Sequence, residues 1–355
     1  MKKLRTRSLS EWMVMAGLVL VGMGVVSMYK FINKDSLIGV INQSLPPREA
    51  GLLAGMLLGD RSGFEKDFWK DLKVSGVVHL VVVSGTNVVL LSSLLIENLA
   101  QFLGRKKTIV GVLTLVWGYA GMVGWEPPVI RAVLLVSILY WAQLLGRKFD
   151  VWRSLILVVA MMVIADRTMI GGVSFWLSFL AFIGVISQLR INNYELRIKN
   201  KYILNMVGNF ITTVWVSLWI TPVMAMVFGK ISLISPFTNL LVMFLAETVF
   251  VVGGVGVAAG LIWPFLGEVV LILILPLLKY FVVITEWMGN MKWASFEVKF
   301  NWLMLAGWYL ILGWFLLRRK GGHAGPPVQK IVGAGPIDAP PQNNVGVDRG
   351  VDPKG

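Results

Sequence analysis

Long apolar runs separated by short charged loops recur along this chain. Runs of about the ~20 residues that a bilayer-crossing helix needs fall at 11–29, 74–97, 108–125, 128–146, 151–166, 169–189, 203–228, 238–262, 266–289 and 302–317. Membrane barrel strands would alternate over about ten residues, whereas these runs are continuous and rich in Leu, Val and Met. In lipid, backbone polar groups must pair internally, which leaves helix bundles or closed barrels. The pattern predicts an all-α polytopic membrane protein with about ten transmembrane helices. The segment 50–60 is too short to cross, and its Gly51, Gly55 and Gly59 repeat every four residues. Such a small-residue stripe suits close packing, so a short re-entrant or interfacial helix is expected there.

The loop charges orient this map. Short loops holding Arg105-Lys106-Lys107, Arg147-Lys148, the segment from Arg190 to Lys201, and Arg318-Arg319-Lys320 share one side, while the short loops of the other hold only Arg167, Lys230, Lys292 and Lys299. The excess of Lys and Arg in cytoplasmic loops predicts a cell (inner) membrane location with both termini cytoplasmic. Basic Met1–Arg7 precedes 11–29 without a small-residue cleavage site, so 1–29 reads as an uncleaved anchor. Residues 30–49 read as a linker, 50–317 as the polytopic domain, and the Gly-, Pro- and Asn-rich 318–355 as a disordered tail.

Composition narrows the chemistry. Hydrophobic residues make up 56% and charged residues 15% of the chain, against about 25% charged in soluble domains. The net charge of +14 is accounted for by cytoplasmic loops or by a surface for an anionic partner, and both readings stand. With no cysteine, disulfides and thiolate metal sites are excluded. The sequence holds no phosphate-cradling G-x-x-x-x-G-K-[ST], no H-E-x-x-H and no G-x-S-x-G. No cofactor, metal or catalytic residue is expected.

The run 74–97 carries His79, Ser84, Gly85, Thr86 and Asn87. On a continuous helix, Ser75, His79, Thr86, Ser93 and Glu97 lie within about 40° of one direction, with Asn87 at the edge. That stripe suits a water-filled path or a hydrogen-bonded helix contact; otherwise its hydroxyls bond back to their own helix and His79 packs in the core. Gly85 after Leu80–Val83 marks either a break that opens backbone groups to a cavity or a close helix crossing. Further on, Trp125-Glu126-Pro127-Pro128 begins a span, since proline suits a first helical turn. Arg131, one turn inside, either snorkels toward Glu126 or faces the interior where an anion would meet it; Trp125 already marks the interface and favours the second. Ser174 and Ser178 lie four apart, on one helix face. In Ser235-Pro236-Phe237-Thr238-Asn239, Pro236 lacks a backbone donor, so a re-entrant loop or a kinked helix start is expected.

Taken together, Gly59-Asp60-Arg61, His79-Leu80-Val81-Val82-Val83-Ser84-Gly85-Thr86-Asn87-Val88, Pro127…Arg131-Ala132, Ser174-Phe175-Trp176-Leu177-Ser178-Phe179 and Ser235-Pro236…Asn239-Leu240-Leu241 resemble the competence domain of ComEC-type DNA-uptake channels. The resemblance covers about 50–290. It implies an inner-membrane channel that passes a single strand of DNA into the cytoplasm in natural transformation, with DNA and membrane lipids as partners. His79, Ser84, Gly85, Thr86, Asn87, Arg131, Ser174, Ser178 and Asn239 would line the path. Asp60, Arg61, Glu126 and Pro236 would be structural, Asp60 pairing with Arg61. The chain departs from the family pattern at Trp176, where glutamine is frequent, and at Pro128, where serine is common. Many members also carry a soluble oligonucleotide-binding-type domain and a metallo-β-lactamase-like nuclease, which 30–49 and the tail are too short to form. A separate nuclease and a cytoplasmic ATP-driven motor are therefore expected, with an oligomer left open. The rival reading is a small-solute or lipid transporter on the same scaffold. A membrane enzyme joining His79 to Asp60 or Glu97 ranks last.

Overall fold

The computed structural model describes residues 34–191, 201–291, 293–298 and 301–318. The expected anchor at 1–29 and nearly all of the expected tail lie outside the described residues. Helices α1 (Lys34–Ser44), α2 (Pro47–Leu58), α3 (Lys66–Ser75), α4 (Val78–Val81), α5 (Gly85–Leu103), α6 (Arg105–Val123), α7 (Pro127–Leu144) and α8 (Val151–Ala165) lead to a 3-10 turn at Arg167–Gly171. Then come α9 (Val173–Ile191), α10 (Lys201–Phe228), β1 (Lys230–Ser232), α11 (Ser235–Ile262), α12 (Pro264–Gly289), β2 (Ser295–Glu297) and α13 (Trp302–Arg318). The protein is an all-α membrane protein. Among the described residues, five helices are long and apolar enough to cross: α5, α7, α11, α12, and α10 through 210–227. The apolar stretches of α8, α9 and α13 are shorter, and α6 spends its first turn on Arg105-Lys106-Lys107.

Several boundaries follow from local chemistry. Proline opens α2, α7, α11 and α12 in the first turn, where its missing N–H costs no helical bond. Residues 34–44, read as linker, are helical because Leu37 and Ile41 lie on a buried face. The expected single helix over 74–97 is divided: Gly76, at φ 77°, ends α3, α4 lasts one turn, and Ser84 starts α5 in extended backbone. The stripe drawn from one continuous helix therefore does not exist as drawn. At the Pro236 segment α10 stops, β1 pairs antiparallel with β2 from Lys230↔Glu297 to Ser232↔Ser295, and Pro236 sits in the first turn of α11, so no uninterrupted helix runs through it.

The core gathers on α2. Ten of its twelve residues are buried, so it is an interior helix rather than an interfacial one, as an all-round apolar helix should be. Leu52 and Leu53 are fully covered, and they belong to one apolar cluster with Ile41, Leu72, Val249, Leu271, Leu278 and Phe281. Arg48, at the start of α2, donates to Glu65 and to Glu286 near the end of α12, both at 2.7 Å. A second cluster, Leu134, Leu135, Leu155, Val158, Met162, Phe175 and Phe179, ties α7 to α8 and α9.

The glycine stripe meets the loop after α2 and the end of α4. A Cβ at position 51 would lie 2.8 Å from the Gly63 carbonyl oxygen, and one at 55 would meet Phe64 and the Val81 carbonyl. Since a backbone carbonyl cannot swing aside, Gly51→Ala should cost about 1–3 kcal/mol, measured as a lower melting temperature of the detergent-solubilised protein. Gly111→Ala, with open space around it, should instead be neutral or add up to about 1 kcal/mol.

Candidate site at the broken helix

The α4–α5 break is where the sequence motifs meet. A residue starting a helix inside a bundle needs room, and Gly85 has it only because it lacks a side chain: a Cβ there would lie 3.0 Å from the Pro128 carbonyl, 3.1 Å from Ala132 Cβ and 3.4 Å from Arg131 Nη2. Both sequence readings of Gly85, a break and a close crossing, hold at once. Gly76 is pressed against Ser235, whose hydroxyl lies 3.4 Å from the Gly76 carbonyl. Ser232 Oγ donates to the Val74 carbonyl at 2.6 Å. The fifth motif is thus docked beside the second.

The break also closes the end of α2. Gly59 takes the left-handed C-cap conformation, φ 67°, and donates to the Gly55 carbonyl at 3.1 Å. Two side chains reach in for the remaining carbonyls: Asn87 Nδ2 donates to Met56 O at 3.0 Å, and Tyr119 Oη donates to Leu57 O at 3.0 Å. Asp60 does not pair with Arg61. Its carboxylate accepts from the Ser62 N–H and hydroxyl, as acidic residues do in tight turns. Arg61 Nη2 donates to Glu126 Oε1 at 3.0 Å, joining the second half of the glycine turn to the loop before α7.

With Glu126 taken, Arg131 faces inward. No carboxylate pairs with it among the described residues, and its Nε is buried without a hydrogen-bond partner. The guanidinium lies over two rings of α9, 5.8 Å from the Phe179 centroid and 5.1 Å from Phe182, contacts worth about 0.5–2 kcal/mol each. Beside it is the start of α5, where Ser84 and Thr86 hydroxyls bond to each other and no side chain caps the first-turn amides. A guanidinium and the positive end of a helix dipole face the same place, an arrangement that favours an anion. His79 Nδ1 donates to the Gly76 carbonyl at 3.1 Å. Its side chain is exposed.

The remaining candidates scatter. Ser174 is exposed at the start of α9, whereas Ser178 is buried and donates to the Phe175 carbonyl at 2.9 Å. Trp176 Nε1 donates to the Ile170 carbonyl at 2.8 Å, outside the cluster. Asn239 is buried, with Nδ2 3.4 Å from Ser235 Oγ and Oδ1 unpartnered. Sequence reasoning missed Tyr119, Phe179 and Phe182. A tyrosine in an apolar span signals a partner for its hydroxyl, but nothing local names a distant carbonyl. Among the described residues no group of three His, Asp or Glu side chains is placed to hold a metal ion.

The family described as Competence protein matches residues 56–321, a stretch containing every motif of the cluster. The chain belongs to that family. It is 26% identical over 181 residues to Recombination protein 2 of Haemophilus influenzae, covering 47% of this chain and 23% of that one. It is 28% identical over 138 residues to Competence protein ComA of Neisseria gonorrhoeae, covering 36% and 20%. To ComE operon protein 3 of Bacillus subtilis the identity is 29% over 112 residues, covering 31% and 14%. The chain thus spans a quarter or less of these relatives' lengths. No solved structure matches it.

Asn87 and Tyr119 serve one helix end, which makes their effects measurable together. Asn87→Leu should cost about 1–3 kcal/mol by leaving a buried carbonyl without a donor, and Tyr119→Phe about 1 kcal/mol. In a double-mutant cycle followed by thermal unfolding, the two losses should be non-additive, because contacting groups at one site couple.

Proposed function

We propose that this chain forms a passage for single-stranded DNA across the cell membrane during DNA uptake. Arg131 is the observation that supports it most: a half-buried cation one turn inside α7, with no carboxylate partner among the described residues, beside the start of α5. An intramembrane charge is expensive, so an unpaired one marks a functional path. A polyanion crossing a membrane needs polar walls and a few cationic contacts that release as readily as they bind. Phe179 and Phe182 add aromatic faces, and bases stack on such faces without regard to sequence. His79, Ser84, Thr86 and Ser174 continue the polar lining on this reading, while Asn87 and Gly85 hold the break open and Asn239 backs it.

The family assignment adds support, because the family is described as Competence protein and relatives are named for competence and for recombination. The finer proposals are an inner-membrane location, both termini in the cytoplasm and about ten crossings, from the Lys and Arg loops. On this reading a cytoplasmic ATP-driven motor would drive directional movement, and a nuclease would degrade the other strand.

The test is uptake of labelled DNA by cells carrying wild type or variants at matched membrane expression. Arg131→Ala should lower internalised label at least about tenfold with surface-bound label unchanged, the loss of a desolvated phosphate contact. Arg131→Lys should fall between, because the ammonium lacks the planar fork. Normal uptake in Arg131→Ala and His79→Ala would sink the DNA reading and leave the small-solute or lipid transporter.

A further inference from the structure

The other end of the α5–α7 pair holds a second cluster of donors, which the DNA reading does not use. Gly104, at φ 78° and ψ 144°, joins α5 to α6 and caps α6 with no side chain. The first turn of α6 therefore presents its free amides together with Arg105, Lys106 and Lys107. Arg105 Nη2 donates to Gln143 Oε1 at 3.0 Å near the end of α7. That bond brings the 104–107 loop against the 145–148 loop, which adds Arg147 and Lys148.

Two donors remain unmet. Arg105 Nε and Gln143 Nε2 are both buried without a hydrogen-bond partner, and Gln143 is only 9% exposed. No carboxylate forms an ion pair with Arg105 among the described residues. Glu97 near the end of α5 acts on the neighbouring Tyr140, while Arg105, Lys106, Lys107 and the unmet Gln143 Nε2 gather donors and cations at this junction, with a helix N-terminus behind them. That is the chemistry of a phosphate site. The apolar residues around it are the opposite: Phe102, Leu103 and Leu145 are 79%, 55% and 51% exposed. Cations and free donors flanked by exposed aliphatic and aromatic side chains, at the end of membrane helices, match a headgroup with its acyl chains rather than a soluble anion.

We propose that the α5–α6–α7 junction binds the phosphate of an anionic phospholipid. Arg105 and Gln143 hold the phosphodiester, Lys106 and Lys107 add long-range attraction, and Phe102, Leu103 and Leu145 lie along the acyl chains. Basic pockets between membrane helices bind anionic headgroups in this way. The site is independent of what the passage carries.

Fluorescent phosphatidylglycerol titrated into the full-length detergent-solubilised protein tests this. Wild type should bind it saturably, displaced by unlabelled phosphatidylglycerol and not by phosphatidylcholine. Arg105→Gln should weaken binding at least about tenfold. Lys106→Gln with Lys107→Gln should weaken it about fivefold per lysine, and both lysines are exposed, so this variant keeps the junction packed. Weakening in either variant whose melting temperature matches wild type upholds the site. It is overturned if every such variant binds as tightly as wild type, or if phosphatidylcholine displaces equally well. Displacement by inorganic phosphate or by a single-stranded oligonucleotide at lower concentration than by phosphatidylglycerol also overturns the lipid assignment.

Discussion

Backbone groups at the ends of interrupted helices must find partners inside the bundle, and the architecture turns on how α2 meets that demand. It ends within the core, where water is excluded and an unpaired carbonyl is costly. Asn87 from α5 and Tyr119 from α6 supply donors to Met56 and Leu57, while the Gly59 turn serves the carbonyl one turn earlier. For Asn87 to reach, α5 must start beside the end of α2, and so the chain between α4 and α5 must break where it does. Glycine at 85 allows that start against α7, and glycine at 51 lets the returning loop lie on α2.

Charge is arranged around this frame with economy. The acidic side chains near the glycine turn are committed: Asp60 to its own turn and Glu126 to Arg61. Arg131 is left with rings instead of carboxylates. A cation that is desolvated but not neutralised keeps an attraction for mobile anions that a closed ion pair would quench. At the opposite end of the same helix pair, Arg105 is held by a neutral amide. Arg131 on α7 and Arg105 on α6 are thus both without a carboxylate ion pair among the described residues, a placement that the net charge alone does not locate.

Much of the fold was legible because its signals are local. Apolar runs marked the long spans α7, α10, α11 and α12, and prolines marked the starts of α2, α7, α11 and α12. Arg131 could be turned inward from the position of Trp125 alone. The 74–97 segment misled, because a polar stripe presumes one continuous helix, and Gly76 ends α3 before His79 is reached. Asp60 and Arg61 are adjacent with opposite charges, yet a three-residue turn offered Asp60 two closer donors from Ser62. Ser174 and Ser178 drew attention as polar residues in an apolar run, whereas the phenylalanines around them make the contact with Arg131.

By itself the sequence determined that the chain lives in lipid as helices, that prolines open four of them, and that polar residues concentrate near 79–87 and 131. These follow from hydrophobic run length and from proline and glycine backbone preferences, which act over a few residues. Tertiary structure alone decided which carbonyls Asn87 and Tyr119 cap, which carboxylate Arg61 takes, and that Arg131 is left to Phe179 and Phe182. Each of those pairings spans 31 to 65 residues of chain or joins separate helices. Partner choice at that range is set by which helix ends the packing brings together, and no local preference encodes it.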